Sequence, residues 1–173
     1  MADASEPQGE VAALVAVQSA LAQRPGVVTA ARALSHFGEH SAGWLAVSAA
    51  GALMQPDKRR QWLLAGAGAF TAHAAAVVIK RVVRRPRPQH PAVEVNVGTP
   101  SALSFPSAHA TSTTAAAILM APLTGVPLPV LVVPPMALSR LVLGVHYPSD
   151  VLTGVVVGAL VARLVNKIGT RDE

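Results

Sequence analysis

The chain is 173 residues long, enough for one domain, with 51% hydrophobic and 13% charged residues and a mean hydropathy of +0.44. That is too apolar for an ordinary soluble domain of this size, and the apolar residues fall in long blocks, which points to a polytopic membrane protein. The absence of cysteine excludes disulfides and thiolate metal sites, and a net charge of +5 with only 3% aromatics fits basic flanks of membrane spans plus an anion pocket, with no nucleic-acid module in view.

Met1 to Glu10 is acidic and polar with no basic leader, so a cleaved signal peptide is not expected, and residues 1–8 read as a disordered tail. From Val11 to Leu21 apolar residues fall at 11, 14, 15, 17 and 21. That run is too short to span a bilayer. It reads either as an amphipathic helix lying on the membrane or as a helix packed on the bundle, ended near Arg24-Pro25-Gly26. Val27 to Leu34 predicts a further helical segment leading into Ser35 to His40.

A first span is expected from about His40 to Met54 and a second from about Gln61 to Val83, where Gly66, Gly68 and many alanines allow close helix approach. The connection from Arg84 to Ser104 is proline-rich and lacks hydrophobic periodicity; a loop of that length is usually functional or disordered. The third span starts at Pro106 and ends near Pro122, the fourth runs to about Gly144, and the fifth covers about Ser149 to Val165. The expected fold is therefore all-α: a polytopic membrane helical bundle of about five transmembrane helices plus an N-terminal interfacial helix, in a single domain over residues 1–173. This topology brings the end of span two, the start of span three, the end of span four and the start of span five to one side of the membrane.

Three polar clusters sit at those four ends. Lys80 to Pro88 holds five basic residues within eight positions, more than topology needs. Lys80 at the helix end and Arg87 on the proline-framed exit can converge on one phosphate. In Phe105-Pro106-Ser107-Ala108-His109, proline suits a first helical turn. The amides of Ser107, Ala108 and His109 would then form an anion site at a helix N-terminus, with the Ser107 hydroxyl as a further donor. In Ser139 to Asp150, Arg140 calls for an anionic partner near the end of a span. Asp150 can hold one nitrogen of His146 and leave the other as a nucleophile.

Lys80, six residues, Arg87-Pro88; Pro106-Ser107-Ala108-His109; Ser139-Arg140, five residues, His146, three residues, Asp150: this resembles the three-part signature of the type 2 phosphatidic acid phosphatase (PAP2) superfamily, shared with vanadium haloperoxidases. The resemblance covers about residues 61–167, the motif-bearing core. One position departs from it: Ala108 stands where the family usually has glycine. The resemblance implies that His146 is the nucleophile that becomes a phosphohistidine, that Asp150 orients it, and that His109 is the general acid. Lys80, Arg87, Ser107, Ala108 (through its N–H) and Arg140 would hold the phosphate oxygens. It implies no metal and no cofactor.

His73, seven positions before Lys80 on the same helix face, is a further candidate for the site, against the reading of a buried structural histidine. His36, Glu39 and His40 have a helical metal-ligand spacing but lack a third partner, and His90 and Glu94 read as solvated loop residues that can touch a headgroup. The expected partners are a lipid phosphate substrate and membrane lipids, with no nucleic acid; small-residue helix faces make a homo-oligomer plausible. The expected location is the plasma membrane, crossed several times. Small size, Ala/Val richness and the first motif resemble the actinobacterial members of the family that act on a polyprenyl-linked ribose phosphate on the way to the cell-wall arabinose donor. An undecaprenyl diphosphate or phosphatidylglycerophosphate phosphatase is the runner-up. A catalytically silent lipid-binding protein is a third reading, opposed by the intact His109, His146 and Asp150.

Overall fold

A computed structural model describes residues 6–169; the first five residues of the expected tail and the last four of the chain lie outside the described residues. Seven helices follow one another: α1 Gly9–Leu21, α2 Val27–Gly38, α3 Ala42–Met54, α4 Arg59–Val83, α5 Ala108–Thr124, α6 Leu128–Val142 and α7 Pro148–Gly169, with short 3-10 turns before α3 and α4. No strand forms among the described residues; one isolated bridge joins Pro86 to Leu103 in the long connection. The expected all-α bundle is what the chain builds. Two stretches, Pro56–Val83 and Pro148–Gly169, are long and apolar enough to cross a membrane.

The bundle is organised on α5. Eleven of its residues are buried, including Thr111, Ser112, Thr113 and Thr114, and α4, α6 and α7 pack around it. Buried polar side chains cost free energy unless bonded, and of these four Thr111, Ser112 and Thr113 are bonded while Thr114 Oγ1 has no partner. Thr111 Oγ1 donates to the Ser107 carbonyl at 2.8 Å, and Trp44 Nε1 donates to Thr113 Oγ1 at 3.0 Å. Small residues set the spacing between helices. On α7, Gly154 is so close to α5 that a Cβ there would stand 2.7 Å from the Ser107 carbonyl oxygen.

The outside of the bundle inverts the pattern of a soluble protein. Along α7 the inward positions Gly154, Gly158 and Ala162 are buried, while Leu152, Val156, Leu160 and Leu164 face outward, each more than half exposed. Leu53, Phe70, Val78, Val82 and Val130 extend that apolar exterior over α3, α4 and α6. Small residues inside and large aliphatic ones outside are what a helix needs when its solvent is hydrocarbon.

Details of the boundaries differ from the sequence reading. Helix α5 begins at Ala108 rather than at Pro106; Pro106 precedes the N-cap Ser107 and so lies outside the first helical turn. The helix continues through Pro122 to Thr124, because a proline late in the chain of hydrogen bonds only displaces one turn. Helix α1 packs on α6 and α7 with Leu14 and Gln18 buried. Gln18 pins the long connection: its Nε2 donates to the carbonyls of Glu94 and Val142 at 2.6 and 3.1 Å, and its Oε1 accepts the Glu94 amide at 3.1 Å. The connection is thus an ordered wall. Arg32 Nε donating to the Asn96 carbonyl at 2.7 Å, and the Asn96 amide donating to Leu143 at 3.0 Å, fasten its middle to α2 and α6.

Candidate active site

The end of α4, the start of α5, the end of α6 and the turn into α7 meet around one cavity of about 430 Å³. Lys80, Arg87, Ala108, His109, Arg140 and His146 all line it, although up to 66 residues separate Lys80 from His146. Ser107 and Asp150 lie behind that lining, each fully buried.

Lys80 ends α4 with its ammonium turned inward, donating to the Leu103 and Ser104 carbonyls at 3.2 and 2.7 Å. Arg87 leaves the helix through Arg84, whose left-handed backbone (φ 55) closes α4. Its Nε donates to the Ser101 carbonyl at 2.8 Å and its Nη1 to the Val145 carbonyl at 2.6 Å. Burial pulls its pKa down to about 10, against the pull of Asp150, so it remains a cation at neutral pH. Carbonyl partners fix both cations without neutralising them.

Ser107 caps α5, its hydroxyl accepting the Ala110 amide at 3.4 Å. Its own amide is not free: it donates to the Asp150 backbone carbonyl at 2.9 Å. At this helix end the amides of Ala108 and His109 have no intrahelical partner by position, whereas that of Ser107 is engaged, contrary to the expectation from sequence. His109 Nε2 lies 2.9 Å from the Ser35 carbonyl. A carbonyl only accepts, so Nε2 carries a hydrogen and Nδ1 is left as the exchangeable nitrogen.

Arg140 is 2% exposed. Its Nε donates to Ser139 Oγ at 3.2 Å and its Nη1 to Ser35 Oγ at 3.1 Å, while Nη2 is buried without a hydrogen-bond partner. The sequence predicted an anionic partner; the partners found are two hydroxyls, which leave the charge uncompensated. A buried guanidinium with an unpartnered donor, on a residue that lines the cavity, is the chemistry an anion would satisfy.

His146 lines the cavity, with Nε2 3.4 Å from Arg87 Nη1 and Nδ1 3.6 Å from Asp150 Oδ2. An arginine only donates, so Nε2 holds its lone pair and Nδ1 the proton. The Nδ1 contact is slightly too long for a hydrogen bond. Asp150 is itself firmly held: Oδ2 accepts the Tyr147 amide at 2.8 Å and Oδ1 accepts Arg85 Nη1 at 3.0 Å. Burial first, then Arg87 and Lys80, pushes the His146 imidazole down to about 3 despite Asp150, so the ring is neutral at neutral pH.

His73 also lines the cavity, with Nδ1 buried and unpartnered. His36, Glu39 and His40 stand along the same wall. Among the described residues no group of three or more His, Cys, Asp and Glu is placed to hold a metal ion. His90 and Glu94 do not line the cavity; the Glu94 backbone is engaged with Gln18. Three residues that bear on the site were not singled out in the sequence. Ser35 joins Arg140 to His109, Arg85 joins Asp150 to Glu10, and Glu10 accepts the Ser149 amide at 2.8 Å. No motif marks Ser35 or Glu10; Arg85 was visible only as one of a run of basic residues.

Known proteins place the molecule first by class. The fold matches that of a transmembrane PAP2-type phosphatidylglycerolphosphate phosphatase from Bacillus subtilis, with a TM-score of 0.72 at 22% identity over 93% of this chain and 86% of that one. That likeness is one of fold. The family model of the PAP2 superfamily matches residues 61–172, and the chain belongs to that superfamily. A decaprenylphosphoryl-5-phosphoribose phosphatase from Mycolicibacterium smegmatis is 78% identical over 154 residues, covering 89% of this chain and 84% of the relative. Proteins of the same name from two Mycobacterium tuberculosis strains are 67% identical over 163 residues, covering 94% of this chain and 92% of each relative.

Proposed function

We propose that this protein is a multi-pass plasma-membrane enzyme, folded as a single domain, that removes the 5-phosphate of decaprenylphosphoryl-5-phosphoribose through a phosphohistidine. The observation that carries the chemistry is the buried, unpartnered Nη2 of Arg140, a residue that lines the cavity together with His146. The identity of the lipid is supported by the relatives at 67% and 78% identity.

In this reading the phosphate enters as the monoanion between Lys80, Arg87 and Arg140, takes up the amides at the start of α5 and passes its proton to His109 Nδ1. Its arrival draws Arg87 away from His146 Nε2 and frees the lone pair. Nε2 attacks phosphorus as the bond from phosphorus to the sugar oxygen breaks. The proton on Nδ1 moves toward Asp150, closing the 3.6 Å gap as positive charge develops on the ring. His109 hands the proton on Nδ1 to the leaving alkoxide, because its Nε2–H is committed to Ser35. In the second half water attacks phosphorus, His109 Nδ1 takes a proton from it, the nitrogen–phosphorus bond breaks and inorganic phosphate leaves. The cations and amides hold the equatorial oxygens in both halves.

The test is phosphate release by purified protein in detergent with EDTA present, from the polyprenyl-phospho-pentose phosphate, undecaprenyl diphosphate and phosphatidylglycerophosphate. Preference for the first, lost in His146→Ala, is the expected result. Activity that survives His146→Ala overturns the mechanism, and preference for another lipid overturns the substrate.

A further inference from the structure

The cavity is longer than one phosphate requires. From the cationic end it continues along α4 from Lys80 through Val77 to His73, and across to His40 on the turn before α3. Seven residues of helix carry His73 about 10 Å from Lys80, toward the middle of the membrane-spanning stretch. The His40 and His73 rings face each other with centroids 5.8 Å apart. His40 reaches that position through a left-handed backbone, φ 50, followed by Ser41 at φ 63. Two consecutive non-glycine residues in that region are costly and persist only where the surroundings enforce them. His73 Nδ1 has no hydrogen-bond partner although it is buried.

We propose that this histidine-lined branch is a subsite for the hydroxyl-bearing sugar between the scissile phosphate and the lipid, with His40 and His73 as its hydrogen-bonding residues; this rests on the function proposed above. A neutral imidazole offers one donor and one acceptor, the complement of a sugar hydroxyl, which is both. A second phosphate would need cations instead. This branch presents the half-buried imidazole of His73 and the exposed one of His40, with His36, the carboxylate of Glu39 and the guanidinium of Arg81 at its exposed rim, where the charges of Glu39 and Arg81 offset one another. An acyl or prenyl chain would leave His73 Nδ1 unsatisfied, whereas a hydroxyl satisfies it. An unpaired polar atom such as His73 Nδ1 within a membrane-spanning helix marks a ligand path. The branch thus favours a phosphorylated sugar on a lipid over a simple lipid phosphate or a diphosphate.

The experiment compares kcat/KM on a polyprenyl-phospho-pentose 5-phosphate with that on farnesyl phosphate, which has no sugar, for the wild type and the variants His73→Leu, His73→Asn and His40→Ala. Loss of a buried hydrogen bond to a hydroxyl is worth about tenfold. The expected result is a fall of about that size on the sugar substrate for His73→Leu and His40→Ala, a smaller fall on farnesyl phosphate, and recovery in His73→Asn, whose amide can replace Nδ1. Equal losses on both substrates would mean a general defect and overturn the proposal, as would an unchanged preference for the sugar substrate. A wild type that does not prefer the sugar substrate at all instead removes the functional reading on which the proposal stands.

Discussion

Arg85 and Asp150 form an ion pair, Nη1 to Oδ1 at 3.0 Å, on the side of Asp150 away from the cavity. The same guanidinium donates to Ser149 Oγ at 2.7 Å and to Glu10 Oε2 at 2.6 Å, and it lies 4.0 Å above the Tyr147 ring. Helix α1, which precedes the family-matched region, is in this way tied to the carboxylate that faces His146. Arg85 does not touch the substrate cavity, so removing it should act on turnover rather than on binding. Outer-shell partners of metal-bound histidines are worth about 10- to 100-fold, and Arg85→Gln is expected to lower kcat by a similar factor with KM little changed. Glu10, more than a third exposed, is a weaker partner, and Glu10→Gln should cost about tenfold at most. Steady-state kinetics check both; a rise in KM at constant kcat for Arg85→Gln would contradict the positioning role.

The vacant donor of Arg140 predicts a ligand effect that is independent of turnover. Inorganic phosphate should raise the melting temperature of the wild type in detergent, because it binds the folded state and compensates a buried charge. Arg140→Lys keeps the charge but loses the planar fork that reaches Ser35, Ser139 and the cavity together. Its kcat/KM should fall by about 100- to 1000-fold, the scale of losing one oxyanion donor, and the stabilisation by phosphate should vanish. Phosphate stabilising wild type and variant equally would place the anion elsewhere.

The part of this site that was legible in sequence is the part whose chemistry is unusual for its surroundings. A charged or titratable group at the end of an apolar run has few structural reasons to be there, so Lys80, Arg87, His109, Arg140, His146 and Asp150 stand out. The alternation of four helix ends then brings them to one side. Ser35 could not be found that way, since a serine late in a short helix is ordinary; only the fold shows that its hydroxyl and carbonyl touch two different motif residues. The free amide expected for Ser107 failed for a similar reason. Its acceptor, the Asp150 carbonyl, is 43 residues away in sequence. Helix α1 was ambiguous because its apolar pattern suits either a membrane surface or a bundle, and the contact of Gln18 with the 84–107 connection decides where it packs.

Acid should weaken the protein through His146. The residue lies in the connection between α6 and α7, where burial, Arg87 and Lys80 hold its pKa near 3, well below the ordinary 6.5, against the opposing pull of Asp150. The unfolded chain therefore takes up this proton first as the pH falls. The stability carried by the neutral ring is complete above about 6.5 and is lost progressively as the pH drops from there toward 3. Thermal unfolding in detergent should be flat above pH 7 and decline below pH 6, and His146→Asn should have the shallower decline. Parallel declines in the two proteins would assign the acid lability to other groups.

Gly38 ends α2 against the ring of His109. A Cβ there would stand 2.6 Å from His109 Cδ2 and 3.2 Å from Met136 Cε. Cδ2 adjoins Nε2, the atom held 2.9 Å from the Ser35 carbonyl, so a methyl group at this position pushes the ring off its anchor. Backbone energetics run the other way. Gly38 has ordinary right-handed helical angles, φ −82 and ψ −5, and alanine is favoured over glycine in a helix by about 1 kcal/mol. The local gain and the steric cost offset each other in stability, but only the steric cost reaches the chemistry. Gly38→Ala is expected to keep its melting temperature within about 3 °C of wild type while kcat falls by about tenfold or more, with the loss concentrated in protonation of the leaving group. A substrate with a good leaving group, such as an aryl phosphate that departs without protonation, should recover most of that loss. If the variant is equally impaired on both substrates, the displaced ring is acting through the shape of the cavity and not through the acid.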